Sequence, residues 1–237
     1  MQEGAADYGK MVGDYTYDHG TKLTVKGKII YVSPDQNFAY LADGDRILSL
    51  YHCELSGDKA MFFKGNYVKT NVYISSYYGA PQVANMDLTE ELDPLNPGIT
   101  EPSGRALEVS GAQLAGKFGE SDRISQYSDY HYRIVSLTGK FVKSSLPSNA
   151  SEKGRFTFEV LAADGNKVKV AYNYHTAFSA NFITMLKGLA DNADIMVTGS
   201  MTYASDNEKA PNSFNPGNGG SWTIVPLDEA VAVQTLA

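Results

Sequence analysis

The chain has 237 residues, of which 43% are hydrophobic and 20% are charged, and its formal net charge is −7. This composition is typical of a folded globular protein and excludes a disordered chain. The acidic balance argues against a surface that must neutralise many phosphates, and the single cysteine, Cys53, excludes a disulfide within the chain and a metal site made of several thiolates.

The first predicted elements form a small module of β-strands. Alternating apolar residues predict strands and one short helical segment, at 22–32, 38–41, 46–52, 58–63 (helical), 67–75 and 81–88. Ala42, Asp43 and Gly44 form a hairpin-turn signal between the second and third strands. We expect a first domain over residues 1–92, which includes an N-terminal lead-in arm.

Residues 93–120 follow as a predicted linker. Three prolines between Asp93 and Gly104 are typical of an extended connector. Leu107 and Leu114 then predict a short helix before the next domain begins.

Residues 121–237 are predicted to repeat the first module. Three strands come first, then a helix and two further strands, at 132–142, 155–160, 167–172, 182–189, 195–203 and 222–227. Ala163, Asp164 and Gly165 form the same turn signal as in the first module. We therefore expect one β-module to be present twice.

The order of three strands, a helix and two strands resembles that of the OB-fold, a five-stranded Greek-key barrel. The predicted fold class is all-β, with two tandem OB-fold-like barrels that each carry a short helix between strands three and four. This resemblance covers about two-thirds of the chain, and because the fold serves many functions, it implies a binding module without naming an activity.

Two segments of the second module carry a further resemblance. Gly199–Tyr203 and Ser221–Leu227, together with the lysine-glycine-lysine first strands, resemble the OB-like repeats of Bacteroidetes envelope proteins, many of which are lipoproteins of unassigned role. The resemblance implies an extracytoplasmic protein whose leader has been removed, with a protein or a glycan as its ligand. The lipobox cysteine of that group is absent here, so a cytoplasmic location stays open.

The alternation of the strands predicts which side chains face outward. In the second strand, Ala39 and Leu41 are expected inside, with Phe38 and Tyr40 outside, where OB-folds commonly place stacking aromatic residues. A register slip of one residue would instead place Phe38 and Tyr40 in the core.

Basic residues accompany these aromatic residues. Lys26 and Lys28 share the outer face of the first strand, and Arg46 begins the third. Aromatic rings beside positive charges can stack bases or sugars, so single-stranded nucleic acid is the alternative ligand. A tyrosine-rich hairpin, which suits contact with protein or carbohydrate, adds Tyr73, Tyr77 and Tyr78.

Motifs that carry catalysis or cofactor binding are missing from the sequence. The four histidines show no metal-ligand spacing, and there is no nucleophile elbow, phosphate loop or dinucleotide fingerprint. No stretch approaches the ~18 consecutive apolar residues of a transmembrane helix. We expect a non-catalytic binding or assembly module without metal or cofactor, or else a structural subunit of a surface or virion assembly, with its oligomeric state left open.

Overall fold

The computed structural model describes residues 17–51, 53, 59–77, 80–114, 133–152, 156–172, 178–205 and 220–236. Among them, the chain divides into two compact units, the first ending at Arg105 and the second beginning at Ala106. Strands are the main regular secondary structure described in both units.

The first unit is a closed barrel of five strands. Its elements are β1 (Tyr17–Val32), β2 (Phe38–Asp43), β3 (Arg46–Tyr51), a 3-10 turn (Lys59–Met61), β4 (Tyr67–Tyr77) and β5 (Ala80–Glu91). The order around the barrel is β1-β2-β3-β5-β4, in which only the β3–β5 pair is parallel. A five-stranded Greek-key barrel of this kind is an OB-fold, so the predicted β-barrel class is confirmed for the first unit.

Alternate residues of these strands fill the barrel. The core includes Ile29 from β1, Ala39 and Leu41 from β2, and Leu50 from β3, none of them more than 3% exposed. Ala39 and Leu41 therefore face inward, as the alternation predicts.

One irregularity interrupts the pairing of β1 with β2. Ile29 pairs with Leu41, but the next paired residue is Tyr31, opposite Tyr40. The extra residue is a β-bulge, which reverses the side-chain alternation of the strand. Because directly opposed residues share a face, Tyr31 lies with Tyr40 on the outer surface.

In the described part of the second unit, seven strands form one sheet, accompanied by three short helices. Its elements are β6 (Leu107–Glu108), α1 (Gly111–Leu114), β7 (Val135–Val142), a 3-10 turn (Lys143–Ser145), β8 (Phe156–Ala162), β9 (Lys167–Tyr172), α2 (Ala180–Gly188), β10 (Asp194–Ser205), β11 (Gly220–Val225), α3 (Glu229–Ala232) and β12 (Val233–Thr235). The order is β12-β10-β11-β9-β8-β7-β6, and β10 also pairs with β7.

The helix α2 begins at a capping serine. Ser179 has an extended backbone, and its Oγ accepts a hydrogen bond from the Phe182 amide at 3.2 Å, which satisfies one of the unpaired amides of the first turn. Phe182, Ile183 and Leu186 form its buried side. Within the described ranges, no helix has the length and apolar character needed to cross a membrane.

Candidate ligand surface of the first barrel

Four aromatic side chains lie together on the outer face of β1, β2 and β3. Tyr31 stands opposite Tyr40, and Phe38 stands opposite Tyr51. The rings of Phe38 and Tyr40 meet edge to face with centroids 4.8 Å apart, and the Tyr31 ring lies 6.2 Å from that of Tyr40. These distances are typical of favourable aromatic pairs. We call Tyr31, Phe38, Tyr40 and Tyr51 the aromatic cluster.

The cluster is outside the barrel core, but its members differ in exposure. Neither Phe38 nor Tyr40 belongs to the packed group of buried residues that includes Ile29, Ala39, Leu41 and Leu50. Tyr40 nevertheless keeps only 9% of its surface exposed, whereas the other three members are half-buried. The expectation of an openly exposed Tyr40 is therefore corrected: the rings of Tyr31 and Phe38 pack against it.

Lysines continue the outer face of β1 beyond the cluster. Lys28 stands opposite Tyr67 of β4, and its Nζ atom lies 4.9 Å from the centroid of the Tyr67 ring. Lys26 is exposed on the same face. Farther along, Lys22 stands opposite Tyr73, with Nζ 6.0 Å from that ring. Both spacings allow cation–π attraction.

The remaining predicted residues are placed less centrally. Arg46 is exposed at the start of β3, opposite Asp43, and so lies at the other end of that strand from Tyr51. Tyr77 ends β4, where its backbone pairs with Ala80, but its side chain lies outside what the structure describes. Tyr78 also lies outside the described residues. The structure thus joins Phe38 with Tyr40 and Lys26 with Lys28, but not Arg46 with either pair.

The segment Gly98–Ser103, here called the strap, binds to the turn between β2 and β3. Three hydrogen bonds hold its backbone: Thr100 N donates to Asp43 Oδ1 (2.8 Å), Gly44 N to Thr100 O (2.7 Å) and Ser103 N to Asp45 Oδ1 (2.9 Å). The sequence predicts a linker here. In the structure this part of the segment is held to the barrel, because the turn carboxylates accept hydrogen bonds from it.

The strap also reaches the lysines of β1. The Glu101 carboxylate accepts a hydrogen bond from Lys28 Nζ at 3.0 Å and another from the Tyr67 hydroxyl, and Lys26 Nζ donates to the carbonyl of Gly98. The hydrogen bonds from Tyr67 and then Lys28 lower the pKa of Glu101, and those with Tyr67 and Glu101 raise the pKa of Lys28. In this conformation the strap therefore binds both ammonium groups. The Glu101 carboxylate pairs with Lys28, and the Gly98 carbonyl accepts a hydrogen bond from Lys26.

Sequence reasoning missed Tyr31, Tyr51, Tyr67 and Glu101. Tyr31 was missed because the bulge is not visible in the sequence, and strict alternation from Ile29 would point the Tyr31 side chain into the barrel. Tyr51 could have been found, since a two-residue turn after Asp43 pairs Phe38 with Tyr51 directly. Glu101 gives no signal in the sequence, because its partners lie 34 and 73 residues away along the chain.

The described part of the chain holds no group of three or more histidine, cysteine, aspartate or glutamate residues that could bind a metal ion.

No family model matches the chain, and no curated protein matches it. Solved structures similar to it include the wild-type single-stranded DNA binding protein from Thermus aquaticus, with 10% identity, a TM-score of 0.27 and coverage of 95% of this chain and 87% of that one. A deletion mutant of that protein has 12% identity, a TM-score of 0.29 and coverage of 95% and 88%. At such TM-scores the likeness carries no weight, and the OB-fold is assigned from the strand order alone.

Proposed function

We propose that the protein is a non-catalytic binding protein whose first barrel holds single-stranded nucleic acid. The observation that carries the proposal is the outer face of β1, where Lys26 and Lys28 lead directly to Tyr31 and the aromatic cluster. Stacking of one base on an aromatic side chain contributes about 1–3 kcal/mol, and lysines neutralise the phosphates between bases.

The spacing along β1 suits a single strand. Lys28 and Tyr31 are three residues apart, which is about 10 Å of extended chain. A flexible single strand can present a phosphate to the lysine and an unpaired base to the ring at that separation, whereas a duplex keeps its bases stacked inside. Because the net charge is −7, we expect few phosphate contacts and a site confined to this one face.

We further propose that the second unit is a barrel of the same design. Its pairings run β7-β8-β9-β11-β10 and return to β7, and its β9–β11 pair is parallel like β3–β5. A Cβ placed on Gly27 or on Gly139 would lie 2.5 Å from a carbonyl oxygen of the next strand, that of Ala42 or of Leu161. In this repeat, α2 and the 3-10 turn at Lys59–Met61 are the elements between strands three and four.

No finding favours a protein or glycan ligand, a structural subunit, or an envelope location for this chain. Those expectations stay predictions, and binding of an oligonucleotide is the first property to measure.

The ring of Phe38 provides the test. Replacement by alanine should weaken binding of a fluorescently labelled oligothymidylate by about fivefold to a hundredfold, because one stacked base loses its ring. Fluorescence anisotropy at fixed salt measures the affinity. The matched control is Phe63→Ala, which removes a ring that is 52% exposed and lies between the 3-10 turn and β4, outside the aromatic cluster.

Equal losses in the Phe38 and Phe63 variants would show that the cluster is not the site. Absence of oligonucleotide binding by the unaltered protein would remove the proposed function altogether. Thermal unfolding of each variant separates loss of the site from loss of the fold.

A further inference from the structure

The strap presents to β1 the chemistry that a nucleic-acid backbone would present. A phosphate bound at Lys28 would accept hydrogen bonds through its charged oxygens, and the Glu101 carboxylate already does so from Lys28 Nζ and the Tyr67 hydroxyl. The carbonyl of Gly98 likewise takes the ammonium group of Lys26. The strap and a single strand therefore compete for the same donors.

The contacts that hold the strap lie at the surface. The hydrogen bonds made by Glu101, and those between the strap backbone and the turn aspartates, all lie at the solvent-facing surface. Exposed ion pairs contribute little net free energy, since water solvates the separated charges well. The strap can thus be displaced without unfolding the barrel beneath it, whose core residues are buried.

We propose that the strap is a built-in competitor of the nucleic-acid surface, displaced when a single strand binds. Its removal delivers Lys26, Lys28 and Tyr67 to the incoming phosphates, next to the rings of the aromatic cluster. This inference rests on the proposed function and adds a regulatory element to the same site.

The charge of Glu101 can be removed without changing its shape. In Glu101→Gln, affinity for oligothymidylate should rise roughly three- to tenfold, because the incoming phosphate no longer competes with a carboxylate for Lys28. Asp194→Asn is the matched control. It removes the same charge from a carboxylate of similar exposure in the second unit, which pairs with Lys140 at 2.7 Å, and should leave the affinity unchanged.

A reversible lock tests displacement itself. A Cβ on Gly44 would lie 3.6 Å from the Cβ of Thr100, which is within the range that a disulfide spans. In the double variant Gly44→Cys/Thr100→Cys, oxidation should lower affinity at least fivefold, and reduction should restore it. Gly44 has a φ of +59°, so cysteine is strained there in both redox states, and the reduced form of the same variant is the control. The native Cys53 is buried.

The outcomes separate the two proposals. Higher affinity in Glu101→Gln and lower affinity in the oxidised lock support the competitor. Equal affinity of the unaltered protein, Glu101→Gln and both forms of the lock overturns the competitor and leaves the proposed function in place. Failure of the unaltered protein and of Glu101→Gln to bind any oligonucleotide overturns both.

Discussion

The position of Tyr31 depends on one extra residue in β1. The bulge between Ile29 and Tyr31 turns the tyrosine outward, so that it meets Tyr40. Alternation alone cannot reveal such an inserted residue, since the sequence on either side still reads as a strand. The outward placement of Phe38 needed no such information, because β2 is regular from Phe38 to Asp43.

Glu101 gives the strap a dependence on pH. Its pKa is lowered from the ordinary value of 4.5, chiefly by the hydrogen bond from Tyr67 and then by that from Lys28. Because the folded pKa lies below the unfolded one, the contribution of the charged carboxylate is complete above 4.5 and is lost as the pH falls through the lowered value. Weakening of the strap should therefore begin only in acid.

The variant Tyr67→Phe tests this assignment. The variant loses the hydrogen bond from Tyr67, the larger cause of the lowered pKa, so the pKa of Glu101 should move back toward 4.5. NMR of the Glu101 carboxyl carbon during a pH titration measures this. Tyr73→Phe, which changes the tyrosine beside Lys22, is the control and should leave that pKa in place. A Glu101 that titrates at 4.5 in the unaltered protein would contradict the contacts described.

At the level of elements, the turn aspartates do more than shape a hairpin. Asp43 accepts a hydrogen bond from the Thr100 amide of the strap, and Asp164 accepts one from the Ala112 amide of α1 at 2.7 Å. The bond from Ala112 is the largest cause that lowers the pKa of Asp164. The sequence pattern predicts that both aspartates lie in turns. It does not predict that they accept hydrogen bonds from segments 57 and 52 residues away along the chain.

Amide hydrogen exchange tests this double role. In Asp43→Ala, the Thr100 amide should exchange about tenfold or more faster, because it loses its acceptor, while the Ala112 amide is unaffected. Asp164→Ala should give the converse result. The two variants are therefore controls for each other, and simultaneous acceleration at both amides in either one would indicate general destabilisation.

The three prolines between Asp93 and Gly104 explain why this segment reads as a linker in the sequence. Their composition excludes regular helix and sheet, but it leaves open whether such a segment lies on a surface. The hydrogen bond from the Gly44 amide to the Thr100 carbonyl places the segment on the surface, and it can form only once the barrel has formed. The strands of the barrel could be predicted because alternation is local, whereas the attachment of the strap is not.

At the scale of the whole molecule, the proposed repeat contains an offset. An alignment of the two units on their Ala-Asp-Gly runs makes Val160 equivalent to Ala39. Gly27 lies against Ala42 as Gly139 lies against Leu161, and an alignment on these contacts makes Val160 equivalent to Leu41 instead. The second hairpin connects its strands through more residues, since Leu161 pairs with Lys167 whereas Ala42 pairs with Ile47. An offset of two keeps every side chain on its face, so the prediction of inward residues survives it.

The central claim is that a single strand lies across β1 and β2 of the first barrel. Ultraviolet cross-linking of an oligothymidylate to the full chain, followed by mass spectrometry of the peptides, locates the bound bases directly. The account predicts cross-links at Tyr31, Phe38 or Tyr51, and fewer of them in the oxidised strap lock. Cross-links confined to residues after Arg105, or equally spread over both units, would contradict it.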